Sequence, residues 1–191
     1  MDKKNPRLSA FTPALCAGTC VRVLFKRTKW LRRHRVYIAI LALALALRLV
    51  NLAGRPLWYD EAFAVLYAEK PVEQIIHGTV ARTDGAAAAD VHPLLYYLGL
   101  HYWMQLAGQS PFAVRLPSAL MGVAAVWLVG LLGQAAWGKS TTDCPPPVVT
   151  ITMLVAAVAP FPIAYSQEAR MYSLLALCAV GATCAAWRAK R

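Results

Sequence analysis

Six ionisable residues stand at the edges of apolar runs. Asp60 and Glu61 follow the first run in PLWYDEAFAVLYA, and His92 heads HPLLYYLGLHYWMQLAG. Arg115 lies in SPFAVRLPSAL, and Glu168 and Arg170 lie in AYSQEARMYSLL, between two further apolar runs. An ionisable group at a membrane boundary is costly unless it is solvated, paired or used. Any one of the six reads equally well as a wetted interface residue; their joint placement on one side argues for a site. Such a set suits transfer from a lipid-linked phosphate. The apolar tail stays in the bilayer, arginine forks meet the phosphate, and a carboxylate takes the proton of an incoming hydroxyl. The same residue types also fit a transporter gate or a lipid-headgroup site.

The elements that must position them are membrane spans. Apolar residues make up 59% of the 191-residue chain and charged residues 15%, an apolar excess that points to the bilayer. Runs near the roughly 20 residues needed to cross fall at 36–53, 112–137, 148–165 and 171–187. The expected fold is therefore all-α and polytopic, with four spans. Residues 1–35 carry ten Lys or Arg and one acid, whereas 54–92 carry six of the nine acids. Basic residues collect inside, so 1–35, the Lys139 loop and the carboxyl terminus are expected in the cytoplasm. The external loop 54–111, and the site with it, is then expected on the outer face of a cell membrane. A basic arm also suits nucleic acid, but no binding motif accompanies it and no nucleic-acid partner is expected. Arg48, near the outer end of the first run, is expected to snorkel to the interface or to pair structurally.

Within the external loop, one helix is expected from Asp60 to about Glu69, and a second from Pro71 to Gly78. The segment 93–107 is expected to be an interfacial helix. As a helix it spans only roughly 23 Å, short of the hydrocarbon core. Its polar residues Tyr97, His101 and Gln105 form one stripe, opposite Leu94, Leu95, Leu98, Tyr102 and Leu106. The five cysteines read as unpaired thiols: Cys16, Cys20 and Cys144 face a reducing compartment, and Cys178 and Cys184 lie in the last run. The basic run KRTKWLRRHR before VYIAILALALAL reads as an uncleaved anchor.

The ordered set LRLVNLAGRPLWYDEAFAV, HPLLYYLGLHYWMQLAG, PFAVRLPSALMGV and PFPIAYSQEARMYSLLAL, covering roughly 47–177, resembles the amino-terminal part of the GT-C glycosyltransferases. The type resembled is the dolichyl-phosphate-mannose protein mannosyltransferases and their bacterial relatives, such as aminoarabinose transferases. The resemblance implies a polyprenyl-phosphate sugar as donor and transfer to a hydroxyl of a lipid, protein or polysaccharide acceptor. It implies Asp60 as the acid acting at that hydroxyl, with Glu61 sharing or taking the role. Arg115 and Arg170 would meet the donor phosphate, while His92 and Glu168 would orient substrate. No cofactor is implied and no metal-ligand set is complete. Members of this type carry many more membrane helices after this point. The chain is therefore expected to be an amino-terminal portion, completed by a further part or by a second chain. The alternatives are a non-catalytic membrane fragment or partner subunit, and then a piece of a transporter. A transporter should carry charges near mid-membrane, and apart from Arg48 these spans have none.

Overall fold

The structure is a computed structural model that describes residues 34–80, 93–137 and 146–190. These residues are helical and contain no strand. Helix α1 covers 34–49, followed by α2 (Tyr59–Ala68), α3 (Val72–Val80), α4 (Leu94–Ala107) and α5 (Pro111–Trp137). Then come α6 (Pro147–Val158), α7 (Pro160–Ser166) and α8 (Tyr172–Ala189). Helices α5 and α8 are long and apolar enough to cross a membrane, and α6 with α7 make a third candidate if the bent pair is one span. The chain thus has the make-up of a membrane protein.

Local chemistry sets the helix ends. Helix α1 stops before the first run does: Asn51 adopts a left-handed φ of 57°, a conformation asparagine tolerates better than most residues. The run 148–165, expected as one span, is broken by 53° between α6 and α7. The cause lies in APFP. Pro160 lacks an N–H, and Ala159 before it is pushed to extended backbone at ψ 125°. Helix α5 instead continues through Pro117. The missing proline N–H leaves Ala113 O without its helical donor, and the Trp103 indole of α4 donates to it at 2.8 Å. One side-chain bond therefore repairs the helix and fastens α4 to it.

Two apolar cores result. One, among α1, α5 and α6, holds Tyr37, Ile40, Ala44, Val126, Val149 and Met153. Its helices approach closely: a Cβ at Gly130 of α5 would collide with Met153 Sδ. Small residues at such seams gain dispersion contacts where water supplies no driving force. Helix α8 packs along the other side of α5, where Gly181 faces Leu128. The second core lies under a cap made of α2, α3 and α4 against the start of α5, and includes Val65, Ile75, Tyr97, Leu100 and Val114. Burying each large apolar side chain there contributes about 1.5–3 kcal/mol.

The face of α4 differs from expectation. Tyr97 is 1% exposed, in ring contact with Tyr67 at 4.5 Å between centroids. His101 Nδ1 lies 2.7 Å from Ala68 O, the carbonyl of the last α2 residue. A carbonyl only accepts, so Nδ1 donates, and Nε2 takes the Gln105 amide N–H at 2.8 Å. Tyr97 and His101 thus turn inward while Gln105 at the end of the stripe is exposed, and the open face also holds Leu95, Tyr102 and Leu106, the last 85% exposed. Cys178 and Cys184 are free thiols; Cys16, Cys20 and Cys144 lie outside the described residues.

Candidate functional site

The adjacent acids Asp60 and Glu61 open α2, where their charge suits the helix N-terminus. Successive helical positions point about 100° apart, so the two meet different partners. Glu61 turns inward and is fully buried. Its Oε1 accepts from Arg115 Nε at 2.8 Å and from the Ala169 N–H at 2.9 Å. Its Oε2 accepts from Arg115 Nη2 at 2.6 Å and, at 3.4 Å, from the Trp58 N–H at the head of the helix. Burial alone would raise its pKa. The bonds from Arg115, from the Ala169 N–H and from the Trp58 N–H outweigh that and hold the carboxyl below its usual range.

Arg115 spends the rest of its fork on backbone. Nη1 donates to Leu52 O at 2.8 Å and Arg55 O at 2.9 Å, and Nη2 to Pro56 O at 3.0 Å. A guanidinium has five N–H donors, and all five are committed. The resemblance implies a donor phosphate for Arg115 and lets Glu61 share the base role. The geometry assigns both a different role, in which they hold the turn after α1, the start of α2, α5 and the loop before α8 in one knot. Neither oxygen of Glu61 is open to a substrate proton.

Asp60 is the accessible member, its side chain about a third exposed. Arg170 Nη1 lies 3.5 Å from Asp60 Oδ2 and 3.4 Å from Asp60 O. Arg170 is itself largely buried, with its guanidinium 5.7 Å from the Tyr172 ring centre, and its carbonyl accepts from Ser118 Oγ at 3.2 Å. Glu168 lines a cavity of ≈290 Å³ with Arg55, Trp58 and Gln167, floored by Glu61 and Arg115. Burial first, then the nearby charges of Glu61 and Asp60, raise the Glu168 pKa, against the pull of Arg170 and Arg55.

Five of the six sequence-derived residues therefore converge; His92 lies outside the described residues. Three contributors escape the sequence reading. Gln167 Nε2 reaches Leu47 O, Arg48 O and Val50 O, capping the carbonyl end of α1. Arg55 brings an exposed cation to the cavity. The Ala169 N–H reaches Glu61, and no side-chain type announces a backbone donor. Gln167 alone carries a signal, its place beside Glu168 in SQEAR.

Chemically, the cluster offers an accessible carboxyl backed by an arginine, a second carboxyl whose pKa is raised, and, in Arg55, an exposed cation around a small cavity. Among the described residues no three His, Cys, Asp or Glu side chains converge to hold a metal. No family model matches the chain, and no curated protein and no solved structure matches it.

Proposed function

We propose that the chain carries the acceptor-activating site of a glycosyltransferase that moves a sugar from a polyprenyl-phosphate donor to an acceptor hydroxyl at the outer face of a cell membrane. The observation that carries this reading is the division of labour between neighbouring acids: Glu61 is locked by Arg115, and Asp60 is left accessible beside Arg170. In the reaction, Asp60 takes the proton of the acceptor hydroxyl as its oxygen attacks the anomeric carbon. The bond from that carbon to the phosphate oxygen breaks, and the lipid phosphate leaves with the electron pair. Arg170 and Arg55 stand where they can neutralise that leaving charge, the part that the sequence alone gives to Arg115. Glu168, its pKa raised by burial and by the charges of Glu61 and Asp60, lines the cavity where a substrate oxygen would sit.

In the accompanying topology, residues 1–35 lie inside, and α1, α5, the bent α6–α7 pair and α8 cross. Helices α2–α4 form the outer cap, with Leu95, Tyr102 and Leu106 turned to lipid. The inward turn of Tyr97 and His101 supports that placement, because an interfacial helix leaves its apolar side to the membrane.

The test uses membranes of cells making the chain, supplied with a polyprenyl-phosphate-linked radiolabelled sugar. Asp60→Asn is expected to abolish sugar release while leaving insertion intact, read by labelling of a Lys70→Cys variant with an impermeant reagent from outside. Sugar release by wild type that Asp60→Asn leaves undiminished would falsify the reading.

A further inference from the structure

Arg48 carries a positive charge that the site above does not use. It is 1% exposed, although it stands one residue from the end of helical α1, where snorkelling to water would be short. The side chain turns inward instead. Nη1 donates to Ala44 O at 3.0 Å and to Ala157 O at 3.2 Å, the latter beside the α6–α7 break. Nε is buried with no hydrogen-bond partner. Within the described residues no hydrogen bond uses Nη2 and no carboxylate pairs with the guanidinium. The carbonyl end of α1 offsets part of the charge but gives the Nε–Nη2 edge no acceptor. That edge is the one with which arginine holds a phosphate or carboxylate at two points.

The surroundings say what kind of anion fits. Arg48 lines a cavity of ≈210 Å³ whose other walls, from Gly122 and Val126 to Ala176, are mostly apolar. Pro162, Tyr165, Tyr172 and Ala176 also line an apolar groove of ≈400 Å³ along α7 and α8. Gly122 leaves the space beside the guanidinium: a Cβ there would stand 2.9 Å from Arg48 Nε and 2.8 Å from Ser166 Cβ. A buried cation at one end and an open apolar groove at the other match an amphiphile with an anionic head.

We propose that the Arg48 cavity binds the phosphate of a membrane lipid, with its chain laid along the α7–α8 groove. A glycerophospholipid and a polyprenyl phosphate share this chemistry. The site is separate from the Asp60–Arg170 cluster, and it rests only on the chain lying in a bilayer, whatever becomes of the transferase reading.

The test reconstitutes the chain in phosphatidylcholine nanodiscs doped with phosphatidylglycerol, with a polyprenyl monophosphate, or with both. Native mass spectrometry then counts the lipid kept on release. Wild type is expected to retain one anionic lipid. Arg48→Gln should retain it at least about tenfold less, a loss of one order in affinity, and Arg48→Lys should fall between, having lost the fork. In the mixed discs, the lipid that is kept names the source. Ala176→Trp leaves the charge in place and fills the mouth shared by cavity and groove, and it too should lose the lipid. Equal retention by wild type and Arg48→Gln, or no preference for anionic over zwitterionic lipid, overturns the proposal. Should Arg48→Gln fail to insert, wild-type retention by Ala176→Trp overturns it as well.

Discussion

Replacing Arg115 by methionine tests the knot at its centre. The variant leaves Glu61 buried with only the Ala169 and Trp58 N–H groups for company. It also strips a donor from Leu52 O, Arg55 O and Pro56 O. Removing one partner of a buried ion pair costs about 3–5 kcal/mol. An orphaned carbonyl costs about 1–3 kcal/mol where water cannot reach it; here that applies mainly to Leu52, since Arg55 and Pro56 are exposed. The sum, about 4–8 kcal/mol, approaches the whole stability of many domains, about 5–15 kcal/mol. Arg115→Met/Glu61→Leu removes both charges and leaves mainly the carbonyl term, about 1–3 kcal/mol. The double variant should therefore be more stable than Arg115→Met. Unfolding in micelles by heat, followed by tryptophan fluorescence, measures all three proteins; Trp58 sits at the knot. A single-variant loss below about 1 kcal/mol, or simple additivity in the cycle, refutes the argument.

Acid should act on the same knot, because the Glu61 pKa is depressed in the folded state. Its stabilisation is present above the unfolded value, near 4.5, and is lost as pH falls through the folded value; the Arg115→Met/Glu61→Leu protein, compared with wild type, should show a flatter loss in an acid titration of unfolding. Glu168 has the opposite sign: its raised pKa favours the fold below the unfolded value and weakens it as pH rises through the folded one. Glu168→Gln should therefore raise the melting temperature at pH 8 more than at pH 4; an equal shift at both would contradict the assignment. Trp103→Phe should cost about 1–2 kcal/mol by orphaning Ala113 O, and much less in a Pro117→Ala background, where the helix supplies its own N–H. Gly130→Val should destabilise by about 1–3 kcal/mol through overpacking, with partial rescue by Met153→Ala.

Much of the placement was legible in the sequence, and much of the pairing was not. Hydropathy located α5 and α8 within a few residues, and the convergence of Asp60, Glu61, Arg115, Glu168 and Arg170 followed from where they sit relative to the apolar runs. Which of two adjacent acids would be locked depends on helix rotation against α5, a tertiary quantity with no local signature. Arg115 looked like a phosphate fork because its residue type allows it; that backbone carbonyls from a turn some 60 positions earlier would occupy it is invisible in composition. The α4 stripe misled for a related reason. Tyr97, His101 and Gln105 are polar enough to read as a wet face, and Gln105 is exposed, yet a tyrosine ring and an imidazole serve well inside a cap that offers Ala68 O as acceptor. The α6–α7 break was written in APFP, but an 18-residue apolar average conceals two prolines.

The Ala169 N–H that completes the shell of Glu61 comes from 108 positions downstream. Gln167, which caps α1, lies 117–120 positions beyond the carbonyls it meets. During synthesis, then, α1 and α2 emerge long before the segment that secures them. Until residues 167–170 leave the ribosome, Glu61 has at most Arg115 and the Trp58 N–H, and the carbonyl end of α1 has none of its Gln167 bonds. Closing such long loops is slow compared with forming local helix. The last turn to be made therefore finishes the first part to be inserted, and a nascent chain stalled ahead of Gln167 would hold its acidic pair in an unfinished, more hydrated form.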